Sequence, residues 1–272
     1  MRRLARIGRG ASFAIVGAFF FAALAGPAFA PDPVGTLHLE FPYEPPSAAF
    51  PLGTGDNGID LYSAILHGAR LALVVGVWVV GISLLLGSAI GIAAGYYGGR
   101  VDHALMGFAD MVQAIPAIVL NIAILAVVAS PGLVHLVVAL AANGWVVYAR
   151  VARASTLSLR SSDFVAAARA LGFSDARVLS RHVLPNVAGP LVVQATAGFG
   201  WTLLAESTLS FLGLGPGKET SWGALLDQGS AVLLRFPHVA LVSGGAIALT
   251  VLGFNLAGDR LRDLLDPRSR RR

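Results

Sequence analysis

The 272-residue chain has no cysteine. Disulfides, thiolate metal sites and cysteine nucleophiles are therefore excluded, and nothing about redox compartment follows. Charge is scarce as well: Asp, Glu, Lys and Arg make up 13% of residues, about half the usual share in a soluble globular domain. Hydrophobic residues reach 56% and the mean hydropathy is +0.72. These values describe a membrane protein. The net charge of +5 does not argue for a nucleic-acid partner, because the basic residues cluster at the ends of apolar runs.

Catalytic motifs are missing too. The stretch "GLGPGKET" is not a phosphate loop, since Leu212 occupies the position five before Gly217 and no strand precedes it. The histidines at 38, 67, 103, 135, 182 and 238 are scattered singly, without an i, i+4 pair or HExxH, and read as interfacial or solvent-facing rather than metal-ligating.

Long apolar runs are what the chain does have. Stretches of about 20 residues give six spans: 11–30, 71–96, 111–129, 133–149, 187–204 and 237–257. The expected fold is an all-α, polytopic transmembrane helical bundle. Residues 1–10 form a tail, 31–70 a segment outside the bilayer, 71–258 the main transmembrane domain with a connecting loop at 150–186, and 259–272 a second tail. The segment 31–60 carries prolines that prevent a helix through most of its length.

Of the 20 Lys and Arg residues, 17 fall on one side if the N-terminus is inside, leaving Arg70, Lys218 and Arg235 outside. The positive-inside bias then places both termini in the cytoplasm. The basic head, apolar middle and A-F-A ending of residues 1–30 also fit a secretory leader, the lesser alternative; its cleavage would leave every later span in the same orientation.

Inside spans two to six there is no Asp, Lys or Arg, and Glu206 stands at the outer end of span five. Ion-coupled carriers rely on buried ionisable groups, so a self-powered carrier is disfavoured. Gln113 and Asn121 are read as amides hydrogen-bonded between helices, with a path-lining role as the alternative. Gly87, Gly91 and Gly95 lie four apart on one helix face, a signal for close helix packing.

The loop after span four is too long for a simple bundle connection. Ser162 or Asp163 is positioned to cap a helix with Phe164, Ala168 and Leu171 on one face, and Gly172 supplies a left-handed stop. Ser174 caps a second helix with Val178, Leu179, His182 and Val183 on its face, and Pro185 opens span five. Two short surface helices joined by a tight turn result.

In this loop, "AAARALG" followed by "RHVLPN" resembles the cytoplasmic loop of permease subunits of binding-protein-dependent ABC importers. The segments "PLGTGDNGID…HGARLAL", "AGYYGGRVD", "AESTLSFLGLG…SWGALL" and "GDRLRDLLDPR" are similar to further landmarks of the dipeptide, oligopeptide and nickel branch, in its C-type permease. The resemblance runs from about Pro51 to Arg268 and implies a type I importer permease of the bacterial inner membrane. It further implies a second homologous permease, two ATP-binding subunits that hold ATP and Mg, and a periplasmic or lipoprotein substrate-binding protein. The chain itself would then bind no cofactor or metal and catalyse nothing; membrane lipid is its other partner.

The implied ATPase-docking residues are Asp163, Ala166, Ala167, Ala168, Arg169, Leu171, Gly172 and Pro185; by position alone, where span five leaves the membrane, Glu206, Ser207 and Phe211 read as a possible outer gate or equally as a structural re-entrant turn. The chain departs from the family pattern at Ala166, where a Glu is usual, and at Phe50, Gly55 and Ile59, where His, Asp and Arg are common. The implied cargo is a di- or oligopeptide, with nickel or another small solute as the alternative. A passive channel or a scaffold is the more distant reading.

Overall fold

A computed structural model describes residues 2–217 and 219–265, with side chains from Ser12 onward. The arginine cluster at the N-terminus and the last part of the C-terminal motif thus lie outside the described side chains. Among the described residues there are no strands, and the helices form one bundle.

Helix α1, Arg2–Phe29, packs Phe19 and Ala23 into the interior. Phe19 makes edge-on ring contacts with Phe199, Trp222 and Phe254 at 5.9, 6.2 and 5.5 Å. Next comes an extended, turn-rich segment with a single 3-10 turn at Asp56–Gly58, as the prolines require. It is fastened to the bundle: Tyr43 stacks on Phe236 at 4.8 Å, and the Asp32 N–H donates to the Ser63 hydroxyl at 3.1 Å.

Helix α2, Leu61–Tyr97, starts ten residues before the apolar run that signalled it. Its start is set by Asp60, whose buried carboxylate accepts from the backbone N–H groups of Tyr62 and Ser63 and from the Ser63 hydroxyl. Gly98, at φ +68°, ends it in a conformation L-residues disfavour.

The expected third span is corrected. Instead of one helix over 111–129 there are two, α3 (Gly99–Ala114) and α4 (Ala117–Ala126), bent by 79°. Pro116 is the cause: the residue before a proline is driven out of the helical region, and Ile115 is extended at φ −89°, ψ 127°. The ion pairs Asp102–Arg153 and Asp110–Arg150 fix α3 to α5, which spans Leu133–Arg160 and so outruns the expected fourth span.

Helices α6 (Asp163–Ala170) and α7 (Asp175–Val178) lead through a π-helical turn, Leu179–Val183, into α8 (Leu184–Phe211). A loop and α9 (Trp222–Ala231) follow, then α10 (Pro237–Leu265). Five helical stretches are long and apolar enough to cross a membrane, and the α3–α4 pair makes a sixth if taken as one bent span.

The glycine stripe does what its spacing indicates. A Cβ at Gly87, Gly91 or Gly95 would collide with α5, at Trp145 and Tyr148, at Ala149 and Ala152, and at Thr156 and Arg153 respectively. The α2–α5 pair is thereby drawn into close contact, the central axis on which the remaining helices are hung.

Candidate functional site

The elbow between α5 and α8 is built from three local features. Ser162 takes the extended conformation of an N-cap, but its hydroxyl donates back to the Leu159 carbonyl at 2.5 Å instead of accepting from α6. Gly172 sits at φ +77° with open space around it, the left-handed stop expected. Ser174 again has N-cap backbone geometry without a side-chain cap.

The second helix of the elbow is not a separate surface helix. α7, the π-helical turn and α8 run as one helical stretch from Asp175 to Phe211. Pro185 lies inside that stretch rather than opening a span. In a regular α-helix its ring would press on the carbonyl four residues back. The widened turn, in which the Leu184 N–H reaches the Leu179 carbonyl, removes that conflict without breaking the helix.

The phase of α6 also differs from expectation. Val165 and Ala168 face inward, at 0% and 4% exposure, against Tyr148, Ala152, Val178, Val183 and Val187. Phe164 and Leu171 point outward, Leu171 at 74% exposure. Ala168 is therefore removed from the docking surface read from the sequence: it is the inner side of the elbow. Asp163, Ala166, Ala167, Arg169, Leu171, Gly172 and Pro185 remain exposed.

Sequence reasoning missed the group that ties the elbow to the bundle. The Tyr96 hydroxyl, at the end of α2, donates to Asp175 at 2.5 Å, and the Arg169 guanidinium lies over the Tyr96 ring at 4.7 Å. Arg177 stacks on Phe173 at 4.1 Å. The elbow is thus gripped by α2 at both of its helices, through Arg169 of α6 and Asp175 of α7, and continues into α8.

At the opposite end of α8, the residues assigned to a gate form a latch. Glu206, 2% exposed, accepts from the Ser210 hydroxyl at 2.7 Å, the Ser221 hydroxyl at 2.9 Å and the Ser207 hydroxyl at 3.3 Å. Ser221 in turn accepts from the Gly223 N–H and so caps α9. Phe211 is half-buried at the end of α8. Together these contacts close the loop between α8 and α9 over itself.

Solved structures share this architecture, a bundle with a half-buried elbow continuous with a spanning helix. The inward-facing MetNI methionine ABC transporter matches with a TM-score of 0.62 at 16% identity, over 75% of this chain and 96% of that one. An amino acid ABC transporter matches with a TM-score of 0.54 at 18% identity, over 77% and 94%. These similarities establish the fold. The chain belongs to the family described as binding-protein-dependent transport system inner membrane component, which matches residues 87–271.

Among curated relatives, it is 40% identical over 224 residues to the dipeptide transport system permease protein DppC of Alkalihalophilus pseudofirmus, covering 82% of this chain and 73% of that protein. It is 35% identical over 250 residues to the oligopeptide transport system permease protein OppC of Bacillus subtilis, covering 92% and 82%. The glutathione transport system permease protein GsiD of Pectobacterium atrosepticum is 39% identical over 226 residues, covering 83% and 75%.

Proposed function

We propose that the chain is the inner-membrane permease subunit of an ATP-driven importer of di- or oligopeptides, forming half of the translocation path. The relatives support the cargo class, since their names specify dipeptide, oligopeptide and glutathione, all peptides. In this reading a second permease completes the path, a binding protein delivers the cargo outside, and two ATPase subunits bind ATP and Mg. The chain holds no nucleotide or metal of its own and is not an enzyme. Both of its termini and the elbow lie in the cytoplasm, as the arginine distribution favours.

One observation carries the mechanism. The elbow, exposed at Ala166, Ala167, Arg169 and Leu171, is continuous in backbone with α8 and clamped to α2 through Tyr96. A partner that seats against the small alanines and moves must move two spanning helices with it. ATP-driven closure of the ATPase pair would then bias the path between inward and outward openings, a two-state element shifted by a ligand.

The test is Gly172→Val in the assembled complex. A β-branched residue is strongly disfavoured at a positive φ, so the turn between α6 and α7 must rearrange. Uptake per ATP hydrolysed should fall severalfold while the subunits still co-purify; an unchanged ratio would count against the elbow as the coupling element.

A further inference from the structure

One concave site is used neither by the elbow nor by the latch. It lies between α2, α4, α5 and α8, encloses about 280 Å³, and is lined in part by Ser83, Asn121, Asn143, Tyr148, Gln194 and Thr202. Asn121 is not the satisfied interhelical amide its sequence context suggested. Its Oδ1, the Ser83 Oγ and the Tyr148 hydroxyl make no hydrogen bond among the described residues. The three side chains belong to residues that are 4%, 1% and 3% exposed, on three different helices. Buried polar groups in proteins are almost always paired, and three converging exceptions need an explanation.

Two glycines make room for two of these hydroxyls. A Cβ at Gly144 would come within 2.7 Å of the Ser83 Oγ, and one at Gly198 would collide with the Tyr148 hydroxyl. The hydrocarbon of a bilayer offers no hydrogen-bonding partner, so lipid leaves these atoms unsatisfied. A neighbouring helix could satisfy them only through polar side chains, since its backbone donors and acceptors are already used internally. The occupant must bring free hydrogen-bonding groups of its own into a recess. The recess holds an amide oxygen that accepts and two hydroxyls that both donate and accept, and none of the residues around it is Asp, Glu, Lys, Arg or His.

We infer that this cleft is a contact site for the passing cargo, and that it recognises the neutral amide groups of a short peptide rather than its charges. The inference rests on the importer reading above and specifies where, and by what chemistry, this subunit meets its solute. Being uncharged, the site does not select peptides by attraction to a charged side chain. Hydroxyls and an amide also exchange partners readily, as a surface that must release its ligand requires.

The cysteine-free sequence supplies the experiment. Ser83→Cys and Asn121→Cys, placed singly in the complete complex in liposomes, are reacted with a membrane-impermeant maleimide, with and without nucleotide, and with and without saturating uncharged dipeptide. Labelling in at least one nucleotide state, slowed about fivefold or more by the dipeptide, is expected, the scale set by one or two lost hydrogen bonds. Tyr148→Phe, which removes only a hydroxyl, should raise the dipeptide concentration needed for half-maximal uptake by a similar factor. Labelling indifferent to dipeptide, or no labelling in any state, overturns the assignment. Wild-type liposomes without ATP-driven dipeptide uptake would instead sink the importer reading, so the two failures are separable.

Discussion

Glu206 shows how one side chain organises a turn. Its carboxyl gathers three hydroxyls, and Ser221 passes the connection on to the start of α9. Glu206→Leu fills the same space but leaves the Ser210 and Ser221 hydroxyls without their acceptor, at about 1–3 kcal/mol for each buried group left unmade. A lowered unfolding temperature in detergent and faster proteolysis within 212–221 are expected, while Glu206→Gln, which retains an acceptor oxygen, should lose less. The serines at 207 and 210 were visible beside Glu206 in the sequence. Ser221 was not, because only the reversal of the loop brings it back. Glycines divide in the same manner: Gly91→Leu must displace the Ala149 backbone and should destabilise the α2–α5 contact by about 1–3 kcal/mol. Gly107, with nothing near its missing Cβ, should tolerate alanine and gain up to about 1 kcal/mol of helix stability. Thermal unfolding of the two variants side by side checks both directions.

Among elements, the broken α3–α4 pair was the least legible and the elbow the most. Counting apolar residues fused 111–129 into one span, although Pro116 was in plain view; hydropathy records what a segment can dissolve in, not whether its backbone can stay helical. The elbow declared itself because arginines interrupt the oil and Gly172 marks a stop. Its helix phase was still misjudged, since Val165 and Phe164 are both apolar and only the arrangement of α2 and α5 decides which one turns inward. The Tyr96–Asp175 bond joins positions 79 apart in the chain, beyond any local pattern. Element docking can be measured at α3, where Asp102 and Arg153 make a bidentate pair at 2.5 and 2.6 Å. With Arg153 at 36% exposure, solvent screening limits the coupling to about 1 kcal/mol. Asp102→Arg and Arg153→Asp should each destabilise the protein, and the exchanged double variant should recover most of the loss; a denaturation double-mutant cycle gives the value.

At the scale of the whole molecule, an all-α bundle of about six crossings followed directly from length and hydropathy, because a bilayer allows few alternatives. The α1 contacts could not be anticipated: Phe19 meets Phe199 and Phe254 only once distant spans assemble. The widened turn at Leu179–Val183 has its consequence at this scale as well. Accommodating one extra residue in a single turn shifts everything beyond it by roughly 100° around the helix axis. The compass bearing of the elbow relative to the bundle is therefore set by five residues. A regular helix of the same length would aim Arg169 away from Tyr96 and turn the alanines toward a different quarter of that end of the bundle.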